Sequence, residues 1–384
     1  MNNDPRTTKP TAPEAVRPSA HIEHLSPYDA VSSLASIAAL PKGVVPLKLD
    51  WNESAVAPSP EVVKAIQAYL GNTHHLNWYP DITASRLRDG ISRYTGVGAE
   101  QVLVTNGSDE ALDLLCRTFV DPGDDVVLVW PTYGHFLVFA RSRGITPRMA
   151  QPDDLFASPM ATLMSTVRPD TKLVYIASPN NPTGVVLSPD EALVLCERFP
   201  STLFIVDEAY HEFCGITAAP LVARLANLAV TRTFSKCFGI AGLRVGYVMA
   251  CPQVLEHLKK LHNPKSVNTL GQIAALAALN DSESRDRYIG QVTEAREQLV
   301  RDLTARGAHA RATAGNYVLV SVADPKRLVA SLETVGVFVR DRSHIQGFEG
   351  FVRITVGTPE QMEDLVGRLD GILATQPDLL HPPA

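Results

Sequence analysis

The chain has 384 residues, with 35 Lys+Arg against 41 Asp+Glu, a formal net charge of −6 and 45% hydrophobic residues. That length suits two domains of roughly 100–200 residues each, and the mild acidity offers no basic footprint for nucleic acid or a membrane surface. No apolar run approaches the roughly 20 residues of a bilayer span, and the N-terminus lacks the apolar core of a secretory signal. Five scattered cysteines without a CxxC pair read as buried reduced thiols of a cytoplasmic protein, with no disulfide framework and no zinc site.

Residues 1 to 20 carry four prolines and little apolar material, and are expected to form a disordered tail. A first helix is predicted from Pro27 through Leu40, where Val31, Leu34, Ile37 and Ala38 recur at helical spacing, until Pro41, Gly43 and Pro46 end it. A second amphipathic helix starts at Pro60, with Val62, Val63, Ile66 and Tyr69 on one side and Gly71 as its stop. Strands are predicted at Gln101–Val104, Asp125–Trp130, Leu173–Ala177, Leu203–Val206, Leu228–Thr231 and Val245–Met249, several of them nearly continuous Val, Ile and Leu. Such runs belong to strands covered on both faces. Helical segments lie between them, Glu110–Phe119 and Pro189–Arg198 among them, so the pattern is that of an α/β domain with a mostly parallel sheet.

From about Asn263 the texture changes. Helical stretches at Leu270–Leu279 and Tyr288–Arg306 precede a strand at Tyr317–Ser321, a helix near Pro325–Val335, and strands at Val337–Arg340 and Val352–Val356. The expected organisation is a tail over 1–20, a large α/β domain over 55–263, and a smaller α+β domain built from 21–54 plus 264–380.

Ligands of an open parallel sheet collect at the carboxyl ends of its strands. After the first predicted strand comes Thr105-Asn106-Gly107-Ser108-Asp109-Glu110, a small-residue turn into a helix whose first amides suit a phosphate. It lacks the three-glycine spacing of a dinucleotide fold. After the third comes Ser178-Pro179-Asn180-Asn181-Pro182-Thr183-Gly184, and after the fourth Asp207-Glu208-Ala209-Tyr210. After the fifth come Thr233-Phe234-Ser235-Lys236, then Gly239, Gly242 and Arg244. Each segment alone is explained by a turn or a helix cap. Together they set a lysine, an aspartate, an amide, a tyrosine, an arginine and a phosphate-type turn on successive strand ends. That is equipment for an anionic cofactor with a protonatable ring, beside an amine nucleophile.

The segments SPNNPTG (178–184), VDEAY (206–210) and TFSKCFGIAGLRVG (233–246) resemble those of the class I/II aminotransferases, which are fold-type I pyridoxal-phosphate enzymes. NWYP (77–80), TNGSDE (105–110), PTYG (131–134) and FVRITVGT (351–358) add to the likeness, whose order and spacing most resemble the histidinol-phosphate aminotransferase branch over about residues 45 to 370. The resemblance implies a large domain around a mostly parallel seven-stranded sheet, with a smaller α+β domain beside it. It implies that Lys236 carries pyridoxal 5'-phosphate as a Schiff base and shuttles the substrate proton. Asp207 would bond the pyridine nitrogen, Asn181 and Tyr210 would donate to the ring phenolate oxygen, and Tyr133 would stack on the ring. The phosphate would rest on the amides of Ser108 and Asp109 with Thr233, Ser235 and Arg244 beside it. Tyr79 would reach the cofactor phosphate of a neighbouring subunit, making a homodimer the working unit. Arg353 would clamp the substrate carboxylate.

Arg340 matches the place where that branch binds the phosphate of its substrate, which implies a phosphorylated amine, best histidinol phosphate, exchanging its amino group with 2-oxoglutarate. The segment Asn52-Glu53-Ser54-Ala55-Val56 departs from the branch, which has an aromatic residue there. Transamination of another aromatic or secondary-metabolite amino acid, or a related decarboxylation or elimination such as that of threonine-phosphate decarboxylases, uses the same Lys236–Asp207 core. The partners expected are small-molecule amino and keto acids, not nucleic acid or membrane.

Overall fold

The computed structural model describes residues 16–23, 25–26, 33–72 and 75–381. In chain order its strands are Leu47–Lys48 (β1), Val102–Thr105 (β2), Asp125–Val129 (β3), Arg148–Ala150 (β4), Thr171–Ala177 (β5), Leu203–Asp207 (β6), Leu228–Thr233 (β7), Gly246–Ala250 (β8), His309–Ala312 (β9), Tyr317–Ser321 (β10), Val337–Phe338 (β11), Arg340–Asp341 (β12) and Phe351–Thr355 (β13). Seven of them form one sheet in the order β2-β8-β7-β6-β5-β3-β4. From β7 to β4 every pairing is parallel, and β8 alone runs against its neighbours. The α/β architecture with a mostly parallel seven-stranded sheet is therefore the observed one.

Alternation along the strands explains why their sequences are apolar throughout. Leu173, Tyr175 and Ala177 of β5 enter one buried cluster with Leu112 and Leu115 of the helix Gly107–Phe119. Val174 and Ile176 enter a second cluster with Ala192 and Leu195 of the helix Pro189–Arg198. Successive side chains of a strand point to opposite faces, so a sheet clad in helices on both sides needs an apolar residue at every position. Each fully buried Val, Leu or Ile contributes about 1.5–3 kcal/mol. The helix Pro189–Arg198 starts where it was expected because Ser188 and Glu191 form a reciprocal capping box with Pro189 at the first turn.

A second, antiparallel sheet has the order β12-β13-β10-β9, and β1 pairs in parallel with β11. The segment after β1 continues this attachment: Leu49 donates to Phe338 O and accepts from Thr355 N. Residues near 50 are thereby laid beside the strand that carries Arg353.

Several expectations need correction. Of the helix expected over Pro27–Leu40, the described part is Leu34–Ala38, and residues 27–32 lie outside the described residues, as do 1–15 of the expected tail. Ala20–Glu23, at the end of that tail, is a short helix. Gly71 does not stop the second helix, which runs Pro60–Asn72. The helix expected from Tyr288 begins at Ser282, because the Asp281 side chain accepts from Ser284 N and caps it there. Val337–Arg340 is not one strand: β11 pairs with β1 and β12 with β13, on different sheets. Four cysteines are buried as expected, but Cys214 is partly exposed. No helix among the described residues is long and apolar enough to cross a membrane.

Candidate active site

The carboxyl ends of β2, β3, β5, β6 and β7 share one edge of the large sheet, and the reversed β8 begins at that edge. A cavity of about 400 Å³ opens there. Its wall contains Ser108 and Asp109 after β2, Tyr133 after β3, Asn181 after β5, Asp207 and Tyr210 from the end of β6, and Thr233, Ser235 and Lys236 from the end of β7. Arg244, just before β8, joins them, and Arg340 and Arg353 enter from the second sheet. Twelve of the thirteen expected residues thus meet in one cavity. Tyr79 does not line it; it is 78% exposed, with the Lys265 ammonium 5.1 Å from its ring centre.

Asp207 ends β6 in register with Ala177 of β5, and its carbonyl accepts Ser178 N at 2.8 Å, which starts the 178–184 loop at a fixed height. Its carboxylate is buried and accepts from Tyr175 Oη and Thr231 Oγ1, both at 2.9 Å. No cation among the described residues pairs with it. Burial pushes its pKa up to about 6, and the hydroxyl donors offset only part of that. The next residue is built for another task. Glu208 turns the opposite way, is buried, and pairs with buried Arg232 of β7 at 2.9 Å, with Thr217 Oγ1 and Ala218 N completing its bonds. Glu208→Ala is expected to cost about 3–5 kcal/mol of stability, as breaking one side of a buried ion pair does. Denaturant unfolding measures it, and a loss below about 1 kcal/mol would mean that the pair holds nothing.

Lys236 is half-buried, its Nζ donating to Trp51 O at 2.9 Å and lying 5.8 Å from the Tyr210 ring centre. Tyr210 Oη accepts from Asn181 Nδ2 at 3.4 Å and from Asn52 Nδ2 at 3.0 Å. Arg353 Nη1 donates to Asn181 Oδ1 at 2.9 Å, and its other terminal nitrogen donates to Asp50 O. The two amides of the 178–184 loop have separate jobs. Asn180 staples the loop, accepting from Thr132 Oγ1 and donating to Pro131 O and Thr183 Oγ1, while Asn181 faces the cavity.

The other end of the cavity gathers a helix N-terminus, two hydroxyls and an arginine. The helix Gly107–Phe119 starts there, and the first amides of a helix have no carbonyl of their own helix to bond. The Ser235 amide bonds Thr233 Oγ1, whose hydroxyl lies 3.0 Å from Ser235 Oγ. Arg244 holds a left-handed backbone (φ 54°), and its Nη2 meets Asp109 Oδ2 at 2.9 Å while Tyr133 Oη donates to Asp109 Oδ1. Gly107 makes room: a Cβ there would sit 2.6 Å from Arg244 Nη2.

The sequence did not single out Asn52, Trp51, Arg342 or His344, all at or against this cavity. The signal available for Asn52 was its type, since asparagine tolerates the left-handed backbone it adopts here (φ 53°).

Compared with known proteins, residues 45–369 match the family model for aminotransferases of class I and II. The chain is 38% identical over 322 residues to a dihydroxyacetone phosphate transaminase of Campylobacter jejuni, covering 82% of this chain and 87% of that one. It is 36% identical over 351 residues to a histidinol-phosphate aminotransferase of Methanosarcina mazei, covering 90% and 93%. In fold it is similar to the histidinol-phosphate aminotransferase of Sinorhizobium meliloti, solved in complex with pyridoxal-5'-phosphate, with a TM-score of 0.85 at 24% identity over 95% of this chain and 99% of that one. An edge of strand ends carrying Lys236 and Asp207, and a family match spanning both sheets, give one conclusion: the chain belongs to the class I and II aminotransferases.

Proposed function

We propose that the protein is a pyridoxal-phosphate-dependent transaminase that exchanges an amino group between glutamate and a phosphorylated ketone, with the ketone of histidinol phosphate as its first candidate. The observation that carries this reading is the pairing, in one cavity, of the Lys236 amine with a buried Asp207 carboxylate that has only neutral donors around it. A buried anion without a counter-cation calls for one, and a protonated ring nitrogen supplies it. The cradle of helix amides, Thr233, Ser235 and Arg244 fits a phosphate at the far end. The residues therefore fit pyridoxal phosphate, which when bound supplies an electron-withdrawing ring and a carbon through which amino groups are exchanged.

In this reading Asp207 would hold a proton on the ring nitrogen, and Tyr133, Tyr210 and Asn181 would hold the ring and its oxygen. Lys236 Nζ would anchor the cofactor, and as a free amine it would take and return the proton of the substrate's amine-bearing carbon. Arg353 receives the carboxylate of glutamate in a bidentate fork, already oriented by Asn181 Oδ1 and Asp50 O.

Arg340 lies directly opposite Arg353 across β12 and β13, on the same cavity wall. Two guanidinium groups suit a substrate with a dianionic end. The ketone of histidinol phosphate and dihydroxyacetone phosphate share one unit, a carbonyl next to CH2–O–phosphate with no carboxylate, and differ in the other arm. Trp51 is among the residues lining the cavity, and an aromatic side chain suits a ring-bearing substrate. The 38% identity to a dihydroxyacetone phosphate transaminase favours the smaller one. The experiment is the half-reaction: each amine is added alone to the cofactor-loaded protein and loss of the visible band is followed. Response to histidinol phosphate supports the first reading; response only to glutamate and the amine of dihydroxyacetone phosphate moves the assignment to the second. Carbon dioxide release without amino transfer would discard both.

Arg340→Ala is expected to lower kcat/KM for the phosphorylated substrate by about 10–100-fold, the worth of one or two hydrogen bonds to a charged group, and that for glutamate by far less. An equal loss for both would return Arg340 to a structural part.

The same reading includes a homodimer. The segment around Tyr79 supports it, since Trp78 beside Tyr79 is 62% exposed and Leu76 and Ile82 are exposed with them, an apolar patch suited to a second copy. We also keep the division into 55–263 and 21–54 plus 264–380, supported by the pairing of β1 with β11. The helix Thr269–Asn280, however, packs on Pro60–Asn72 and Ser85–Thr95 and goes with the larger unit. Five free thiols are consistent with work in the cytoplasm.

A further inference from the structure

We infer that Asn52 is a positioning residue for the reaction: its side-chain amide, together with that of Asn181, occupies the acceptor sites of the Tyr210 hydroxyl and so forces the phenolic proton to point into the cavity. The inference rests on the reading above, in which Tyr210 donates to the cofactor's ring oxygen.

Asn52 is completely buried, and its orientation follows from its neighbours. Thr355 Oγ1 accepts the Asn52 backbone N–H at 3.0 Å, so the Thr355 hydroxyl proton is directed to Asn52 Oδ1, 3.1 Å away. With its oxygen engaged there, Asn52 presents Nδ2 to Tyr210 Oη at 3.0 Å. The Asn52 carbonyl accepts from Asn316 Nδ2 at 3.2 Å, which helps hold the left-handed backbone turn that aims the side chain. Asn181 is fixed by a separate argument. Arginine only donates, so Arg353 at 2.9 Å must face Asn181 Oδ1, leaving Nδ2 for Tyr210 at 3.4 Å. Two N–H donors converge on one phenol oxygen. An oxygen that accepts twice has one direction left for its own proton, and accepting strengthens it as a donor. The Tyr210 ring cannot swing to escape, because Tyr317 packs edge-on against it at 5.4 Å between ring centres.

The test is the pH titration of the visible band of the cofactor-loaded protein, together with thermal unfolding. Asn52→Gly keeps the left-handed backbone and removes the amide; Asn52→Asp replaces the donor by an acceptor that turns the Tyr210 proton away. The titration midpoint is expected to rise by about one pH unit in the glycine variant and further in the aspartate variant. Thr355→Val, which frees the Asn52 amide to turn over, should raise it less, and Thr355→Ser should restore it. Asp50, Asp109, Asp207, Tyr133, Lys236, Arg244, Arg340, Arg342, Arg353 and His344, the other charged or titratable groups around the cavity, are unchanged in all four variants. Midpoints that stay within about 0.2 unit of the parent while thermal stability falls would make Asn52 merely structural and overturn the inference. A parent protein with no titrating band would instead overturn the cofactor reading, and this inference with it.

Discussion

Replacing Lys236 with alanine is expected to abolish turnover, by about 10⁴-fold or more, while leaving the fold in place. Both halves follow from where the lysine sits. Its Nζ has one hydrogen bond, to Trp51 O, and its side chain is half-buried at a cavity wall rather than packed in either apolar cluster. Loss of that bond costs about 1 kcal/mol, so thermal unfolding should move little. On the roles proposed for Lys236, the chemistry loses both its anchor and its proton carrier. Lys236→Arg separates charge from nucleophilicity, because guanidinium keeps the positive charge but does not give up a proton near neutral pH. It is expected to be as inactive as the alanine variant. Hydride reduction followed by peptide mass measurement should place the cofactor's mass on the peptide containing Lys236 in the parent and on none in the variants. Cofactor mass retained in Lys236→Ala would name another lysine as the anchor and end this assignment.

What was legible in the sequence was whatever is decided locally. The buried parallel strands declare themselves because both faces are clad in helices, so Leu173–Ala177 and Leu203–Val206 are apolar at every position, and the polar residues that follow them are strand ends by elimination. Elements whose character depends on distant neighbours were not legible. Arg148–Ala150 is an edge strand with one partner and an exposed Met149, so it carries no continuous apolar run. The helix Ser85–Thr95 buries only Leu87, Gly90 and Ile91 and otherwise reads as charged loop. The break between Val337–Phe338 and Arg340–Asp341 exists because β1, far away in the chain, takes up one half and β13 the other. Asn52 escaped for the same reason. Its partners Tyr210, Thr355 and Asn316 come from three other parts of the chain, and nothing adjacent in sequence announces them.

Asp207→Asn should separate the cost of this site from its use. In the cofactor-free protein the Asp207 carboxyl has its pKa pushed up to about 6 by burial, against 3.8 for the ordinary group. Between those two values the unfolded chain has already lost the proton while the folded chain keeps it, so stability falls as pH rises from 3.8 to 6 and stays reduced above. The difference of about two pH units corresponds to a penalty on the order of 3 kcal/mol at neutral pH. Asparagine carries no charge to bury, and its amide keeps an acceptor for Tyr175 or Thr231. The cofactor-free variant is therefore expected to be more stable than the parent at pH 8 and equal to it near pH 4, measured by urea unfolding at both. Activity should move the opposite way, down by about 10³-fold, because in the proposed role a neutral amide no longer holds the proton on the ring nitrogen. Binding of the cofactor should stabilise the parent more than the variant, since only in the parent does the bound ring meet an unpaired buried charge. A variant destabilised equally at pH 4 and pH 8 would show that Asp207 is held for its hydrogen bonds alone, and the ring-nitrogen role would pass to another group.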